Sequence, residues 1–355
     1  MRFGRRLPAP LLELQLLSQP GVGCGSVAER ICALARQLVG CEAAALFWLD
    51  SDGMPQGFHH EDSPPETRDL FANEFERLFL GEAEINVFQL AQMRTRSIGH
   101  LFAPPPAYFR SNTFNLLVRA SGHEHCIDLR VDCSDGGKAV LLLFRPPGLP
   151  FREADLAALA VLEAPLRQIG TCTSENRPLR LIDSGHLVTD SRGEHIIAMC
   201  DRARHILRVS SLVGQSLTIG GMIETAPRFV AELCTRLAWE PQPVQRHGIS
   251  GGILQVRAKS MGAQHGVSKP LVLVTLEHAI PEAVQTVDAV LSCGLSPLRS
   301  RILLHAATGG GRDSVAQTLG ISKEAARKHI AEIYRTIGAS RWAEIPERLG
   351  SRQAG

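Results

Sequence analysis

Between Arg312 and Arg335 the chain carries side chains that could read a DNA duplex. Arg327 and Lys328 could reach guanine edges or phosphates, and Glu324 could accept from a cytosine amino group. Ala331 is small enough to let a helix approach the floor of the major groove. Arg312, Lys323 and Arg335 flank this set and suit phosphate oxygens. Other chemistry-bearing residues are scattered. His123-x-His125-Cys126 would place two imidazoles on one face of a strand, with Cys133 across a hairpin, a set that zinc or haem could use. It lacks the recurrent ligand spacings, so no metal and no cofactor is expected. His59-His60-Glu61-Asp62 sits in a polar, proline-flanked stretch and reads as a solvated loop. Gly21-Val22-Gly23-Cys24-Gly25 has no strand before it, so it is not a phosphate loop. No G-x-S-x-G, Walker or H-E-x-x-H pattern occurs, and binding is expected, not catalysis.

Local chemistry sets the elements that must position the basic set. Ser296 is a good N-cap and Pro297 suits the first helical position. Ile302, Leu303 and Ala306 give that helix one apolar face, and Gly309-Gly310-Gly311 ends it. Asp313 is expected to cap a short helix, Ser314 to Leu319, which Gly320 closes in the left-handed conformation. Ser322 starts a longer helix that runs to Ile337 and stops at Gly338. Ala326, Ile330, Ile333 and Ile337 recur at helical spacing and form its core stripe. The residues of the candidate DNA face fall on the opposite side. A short helix, a glycine-containing turn and a longer second helix make a helix-turn-helix unit.

Charge separates the same way. Residues 295–355 hold ten Lys/Arg against five Asp/Glu, while the rest holds 28 against 31. A basic tail on a mildly acidic body suits a module that meets phosphate while the body does something else.

With these elements in place, the tail resembles the LuxR-type helix-turn-helix domain. The matching residues are Leu295-Ser296-Pro297, Ala307-x-Gly309, Val315-Ala316-x-x-Leu319-Gly320-Ile321-Ser322, His329-x-x-x-Ile333-Tyr334-Arg335 and Gly338-Ala339-Ser340-x-x-Ala343-Glu344. The resemblance implies a four-helix DNA-binding domain at 291–355, double-stranded DNA read in the major groove by the 322–337 helix, and a homodimer. Three positions depart from the pattern. Leu298-Arg299 stand where the family has Arg-Glu, which removes an acidic structural partner. Ala325-Ala326 replace Thr-Val at the start of the reading helix. Pro346 falls in the fourth helix, which is therefore expected to be kinked or short and a poor dimer contact.

The remainder reads as two mixed domains. Nine scattered cysteines without C-x-x-C fit a reducing compartment. The N-terminus reads as neither a signal peptide nor a membrane span, so a cytoplasmic protein is expected. Residues 26–40 form an amphipathic helix, and AAALFWLDSDG a strand entering an Asp-Gly turn. A helix is expected over 64–82, two strands over 112–131, a buried strand at 139–144 and a helix from Phe151 to Ile169. This order resembles a GAF-type sensor domain over 1–170. After a polar linker at 171–178, a strand, the turn Asp190-Ser191-Arg192-Gly193, a second strand and a helix burying Ala203, Ile206 and Leu207 resemble the opening of a PAS domain over 171–290. Cys200 takes the place of that family's usual Asn, on which the turn's usual hydrogen bonds depend. Strands at 253–259 and 270–276 and a connecting helix at 281–292 complete it. The expected fold is α+β: two mixed α/β sensor-like domains followed by an all-α four-helix LuxR-type domain. The function this implies is a DNA-binding regulator answering to a small-molecule or protein effector. The alternatives are a signalling scaffold without DNA affinity, and a metal or redox sensor built on the 123–133 cluster.

Overall fold

The computed structural model describes residues 8–18, 22–64, 66–67, 70–71, 74–94, 97–171, 178–209, 225–262 and 270–353. The linker expected at 171–178 lies almost wholly outside them. The chain is a mixed α and β structure with two antiparallel sheets and a helical C-terminal segment.

Two helices open the chain, α1 (Ala9–Ser18) and α2 (Cys24–Val39). Sequence reasoning missed α1, because prolines and polar residues interrupt its leucines. Tertiary packing makes the helix: Leu14, Leu16 and Leu17 are fully buried. The first sheet follows, from β1 (Ala43–Leu49), β2 (Pro55–His60), β3 (His125–Asp132) and β4 (Lys138–Arg145), ordered β2-β1-β4-β3. Both of its faces are covered, which is why β1 and β4 are nearly continuous apolar runs. Leu46, Trp48, Ile127, Leu129, Leu141 and Leu143 face α2 and the other helices of the main core. Ala45, Cys126, Val140, Leu142 and Phe144 face a second core. That second core is closed by α3 (Phe75–Leu78), α4 (Val87–Gln92) and a helical segment at 113–121.

That segment corrects the two strands expected over 112–131; only the second half is a strand. The amides of Asn112 and Thr113 donate to the two carboxylate oxygens of Glu84 at 2.8 and 2.7 Å. A distant acid thus caps a helical turn that local propensity does not favour. The helix expected from Phe151 to Ile169 is two helices, α5 (Glu153–Ala160) and α6 (Glu163–Ile169). The residues described within 64–82 include helix only in part, with α3 the longest piece. His59 and His60 lie on β2, paired with β1, and not in a loop.

The second sheet contains β5 (Leu179–Asp190), β6 (Ile196–Met199), β7 (Val244–Ile249), β8 (Gly252–Met261) and β9 (Leu271–Pro281), ordered β6-β5-β9-β8-β7. Two helices, α7 (Asp201–Val209) and α8 (Arg228–Arg236), cover one face. Ala203, Ile206 and Leu207 are buried there as expected. The turn at 190–193 forms, with Gly193 at φ 71° and the Asp190 carboxylate accepting from the amide of Glu194 at 2.9 Å. At Cys200, in place of the Asn, sulfur makes hydrogen bonds: its Sγ accepts from the amides of His186 and Ala203 at 3.1 and 3.5 Å. Partial burial would raise this thiol, but those amide donors outweigh it and hold the thiol below its ordinary range.

The two sheets meet along α2, which packs on β7 and β8. The Cβ of a residue larger than glycine at position 25 would lie 3.0 Å from the Gly248 backbone, so the approach needs glycine. His59 Nδ1 lies 2.7 Å from Ser250 Oγ across the same seam.

From β9 the chain enters α9 (Glu282–Ser292), the expected connector, and breaks at Gly294 (φ 61°). The C-terminal helices are α10 (Pro297–Ala307), α11 (Val315–Leu319), α12 (Lys323–Ile337) and α13 (Ile345–Gln353). Their core is continuous with the back of the first sheet: α1 packs on α9 and α10, and Arg30 of α2 pairs with Asp288 of α9 at 2.7 Å.

Candidate nucleic-acid interface and effector cavity

The longer helix of the C-terminal segment, α12, forms as its sequence dictates. Ser322 Oγ accepts from the Ala325 amide at 3.1 Å, and Gly338 closes the helix at φ 72°. Ala326, Ile330, Ile333 and Ile337 are all buried against α10, α11 and α13. Replacing Ser322 by alanine should cost about 1 kcal/mol of stability, since the cap is a direct hydrogen bond. Denaturant unfolding followed by circular dichroism checks this.

The structure leaves every predicted contact residue of this segment accessible. Arg312, Lys323, Glu324, Arg327, Lys328, Ala331 and Arg335 are all exposed. Arg312, Lys323, Arg327 and Lys328 form no ion pair among the described residues. Arg335 is different, because Glu332 holds it at 2.8 Å. Glu332 also faces Arg299 of α10 at 4.0 Å. Arg299, which stands where an acidic residue was expected, thus joins α10 to α12 through Glu332. Burial, aided by the Arg299 and Lys328 charges, holds His329 below the ordinary histidine range, so the helix's positive face is made by its lysines and arginines.

The loop before α11 is pinned from two sides. Trp342 Nε1 donates to the Gly310 carbonyl at 2.8 Å, and His305 Nε2 lies 3.0 Å from Ser314 Oγ. Asp313 does not cap α11. It lies in a tight turn at 312–314, and Ser314 takes the cap position with its hydroxyl spent on the Gly311 carbonyl. Pro346 does not break the fourth helix. It is the second residue of α13, where the amide it lacks would have no helical acceptor. Ile345 and Leu349 bury that helix against the rest.

The metal set does not assemble. His123 lies in the turn before β3, and His125 stands opposite Arg145 on β4. Cys126 and Cys133 belong to the cores on opposite faces of the first sheet. A different trio, Asp190, Glu194 and His195, converges to within 4.8 Å. It is the 190–195 turn itself, its Asp190 carboxylate already taken by backbone amides.

Sequence reasoning missed a cavity on the α4 side of the first sheet. Its atom-free space is about 710 Å3 counting the open mouth. Phe47, Phe58, Phe71, Leu90, Val118 and Phe144 supply apolar wall, and among the described residues no Asp, Glu, Lys or Arg lines it. Phe144 is stacked between the rings of His60 and His123, at centroid distances of 5.3 and 5.2 Å. Burial lowers the pKa of His123 and raises that of Tyr108, whose rings both face this space. No sequence pattern marks it: Phe71 lines the cavity and touches Phe75, Phe79 and Phe88, but those three rings lie outside its lining.

No protein-family model and no curated protein matches the sequence. Matches among solved structures include SdiA in complex with octanoyl-rac-glycerol, at 12% identity and TM-score 0.32, covering 96% of this chain and 93% of that one. The VqmA dimer of Vibrio cholerae, described as a LuxR-type receptor, matches at 11% identity and TM-score 0.20, covering 48% of this chain and 83% of that one. A phage VqmA–DPO complex gives 15% identity and TM-score 0.20 over the same shares of the two chains. At these scores the likeness carries no argument about what this chain binds. No described helix is long and apolar enough to cross a membrane.

Proposed function

We propose that the chain is a LuxR-type transcriptional regulator that binds double-stranded DNA as a homodimer in the cytoplasm and answers to an effector held by its body. In this reading residues 1–170 form a GAF-like unit, 171–290 a PAS-like unit and 291–355 the DNA-binding unit. The observation that carries it is the face of α12: a helix buried by four apolar residues presents Arg327 and Lys328 on its open side, without ion-pair partners among the described residues. Such a face can enter the major groove, with Arg312 and Lys323 on phosphates.

The body supplies a route for control. Strands β1 and β4 have one face on the cavity and the other on the core continuous with α9 and α10. A molecule that fits the cavity better in one packing of those strands would bias the DNA-binding helices.

The test is a titration of the full chain against a duplex that it selects from a random-sequence pool. The expected result is a steep salt dependence, with affinity falling at least tenfold between about 50 and about 200 mM salt, as counterion release from several phosphates requires. Failure to select any duplex, or a salt-insensitive affinity, would leave the tail as a protein-binding scaffold.

A further inference from the structure

We infer that the first unit's cavity recognises a small, flat, uncharged ligand, an aromatic ring carrying a hydrogen-bonding group. This rests on the reading of that cavity as the effector site. Three observations carry the ligand class.

Two polar side chains in the wall are buried with nothing to bond. Tyr108 is 3% exposed and His123 is 5% exposed. The Tyr108 hydroxyl and both ring nitrogens of His123 have no hydrogen-bond partner among the described residues. Buried polar groups are almost always paired, and leaving one unpaired is costly. Both residues line the cavity, so a ligand atom placed there recovers what folding leaves unmet. The phenol can donate to a carbonyl or ring nitrogen. The imidazole can donate through one nitrogen and accept through the other.

The second observation is charge. With no ionised side chain among the described residues of the lining, a carboxylate or ammonium ligand would meet no counter-ion there, at a large desolvation cost. Burial also keeps the His123 ring in its neutral form.

The third is shape. The wall presents ring faces, among them the His60–Phe144–His123 stack and the Phe47–Phe58 pair at 5.5 Å. Offset stacking on such faces favours a planar guest over an alkyl chain.

The experiment titrates the full chain with benzamide, benzoate and toluene, followed by nuclear magnetic resonance. Benzamide should bind, and benzoate, ionised at neutral pH, should bind at least about tenfold more weakly. Tyr108→Phe should weaken benzamide by about five- to tenfold and leave toluene unchanged, because only the hydroxyl is removed. Its unfolding midpoint should not fall, since the hydroxyl makes no hydrogen bond within the described protein. Val118→Phe, which fills the cavity from another wall, should exclude benzamide and toluene alike. Equal binding of benzoate and benzamide, equal affinity of wild type and Tyr108→Phe for benzamide, or no binding of any probe overturns the inference. DNA titration of the same preparation separates the two readings. DNA binding without probe binding sinks this inference and leaves the regulator standing. Probe binding without DNA affinity does the reverse.

Discussion

Replacing Arg327 and Lys328 together by alanine should weaken DNA binding by about ten- to several hundredfold at fixed salt while leaving the protein folded. Both side chains are exposed on the side of α12 opposite its buried stripe, and no carboxylate among the described residues holds either. Removing them breaks no ion pair, and exposed changes usually shift stability by less than about 0.5 kcal/mol. Alanine also favours the helix. A bidentate interaction with a base is worth about 1–3 kcal/mol, which sets the range for removing one or both. Two further readouts identify what each side chain touches. If either residue binds a phosphate, its removal should flatten the log–log salt dependence by about 1. If it binds a base edge, its removal should instead relax sequence preference. Arg335→Ala is the internal comparison: Glu332 already neutralises that guanidinium, so its removal should matter less. Unchanged affinity in the double variant, with normal circular dichroism, would remove α12 as the reading helix.

Trp48→Ala should destabilise the protein by about 3–5 kcal/mol, the usual cost of truncating a buried large aromatic. Trp48 is 1% exposed and sits where β1, β2, α2 and β7 converge. Gly57 and Gly25 make room for its indole, and Gly248 approaches it from a third side. A Cβ at Gly57 would collide with the ring, one at Gly25 would lie 3.2 Å from it, and one at Gly248 would lie 3.7 Å from Nε1. Backbones on three sides cannot collapse into the space as side chains can, so the cavity should persist and the cost should fall at the upper end. The residue also lies at the seam between the two sheets, and its removal should loosen one against the other. Denaturant unfolding measures the loss, and hydrogen exchange at β7 and α2 should rise together. A loss below about 1 kcal/mol would show that the seam is not packed on this ring.

Much of the candidate DNA face is legible in the amino-acid order alone. The apolar period of Ala326, Ile330, Ile333 and Ile337 has one solution as a helix, and that solution puts Arg327 and Lys328 outside. Ser322, Gly320 and Gly338 act through their own backbone geometry, so their roles do not wait on distant residues. The strands at 43–49 and 139–144 are equally plain, being runs long and apolar enough to lie between two covered faces.

The features that sequence reasoning misplaces depend on partners far away in the chain. The 113–121 segment is rich in strand formers, yet Glu84 caps it as a helix from 29 residues away. Pro346 reads as a breaker only when its helix is started too early, and a tight turn at 342–344 delays that start. The His123–Cys133 set reads as convergent because alternation along one strand says nothing of the face that each flanking turn selects.

By itself, then, the sequence determined the local matters: where the longest C-terminal helix begins and ends, which of its stripes is buried, and the sign of the charge on its open side. These follow from caps, period and composition, which are properties of neighbouring residues. Only the tertiary structure decided that α1 is a helix, that the C-terminal core is continuous with the first sheet through α9 and α10, and that Tyr108 and His123 meet an apolar cavity with their polar atoms unpaired among the described residues. Burial and the pairing of polar groups are set by every element that packs around a residue, and no window of sequence contains them all.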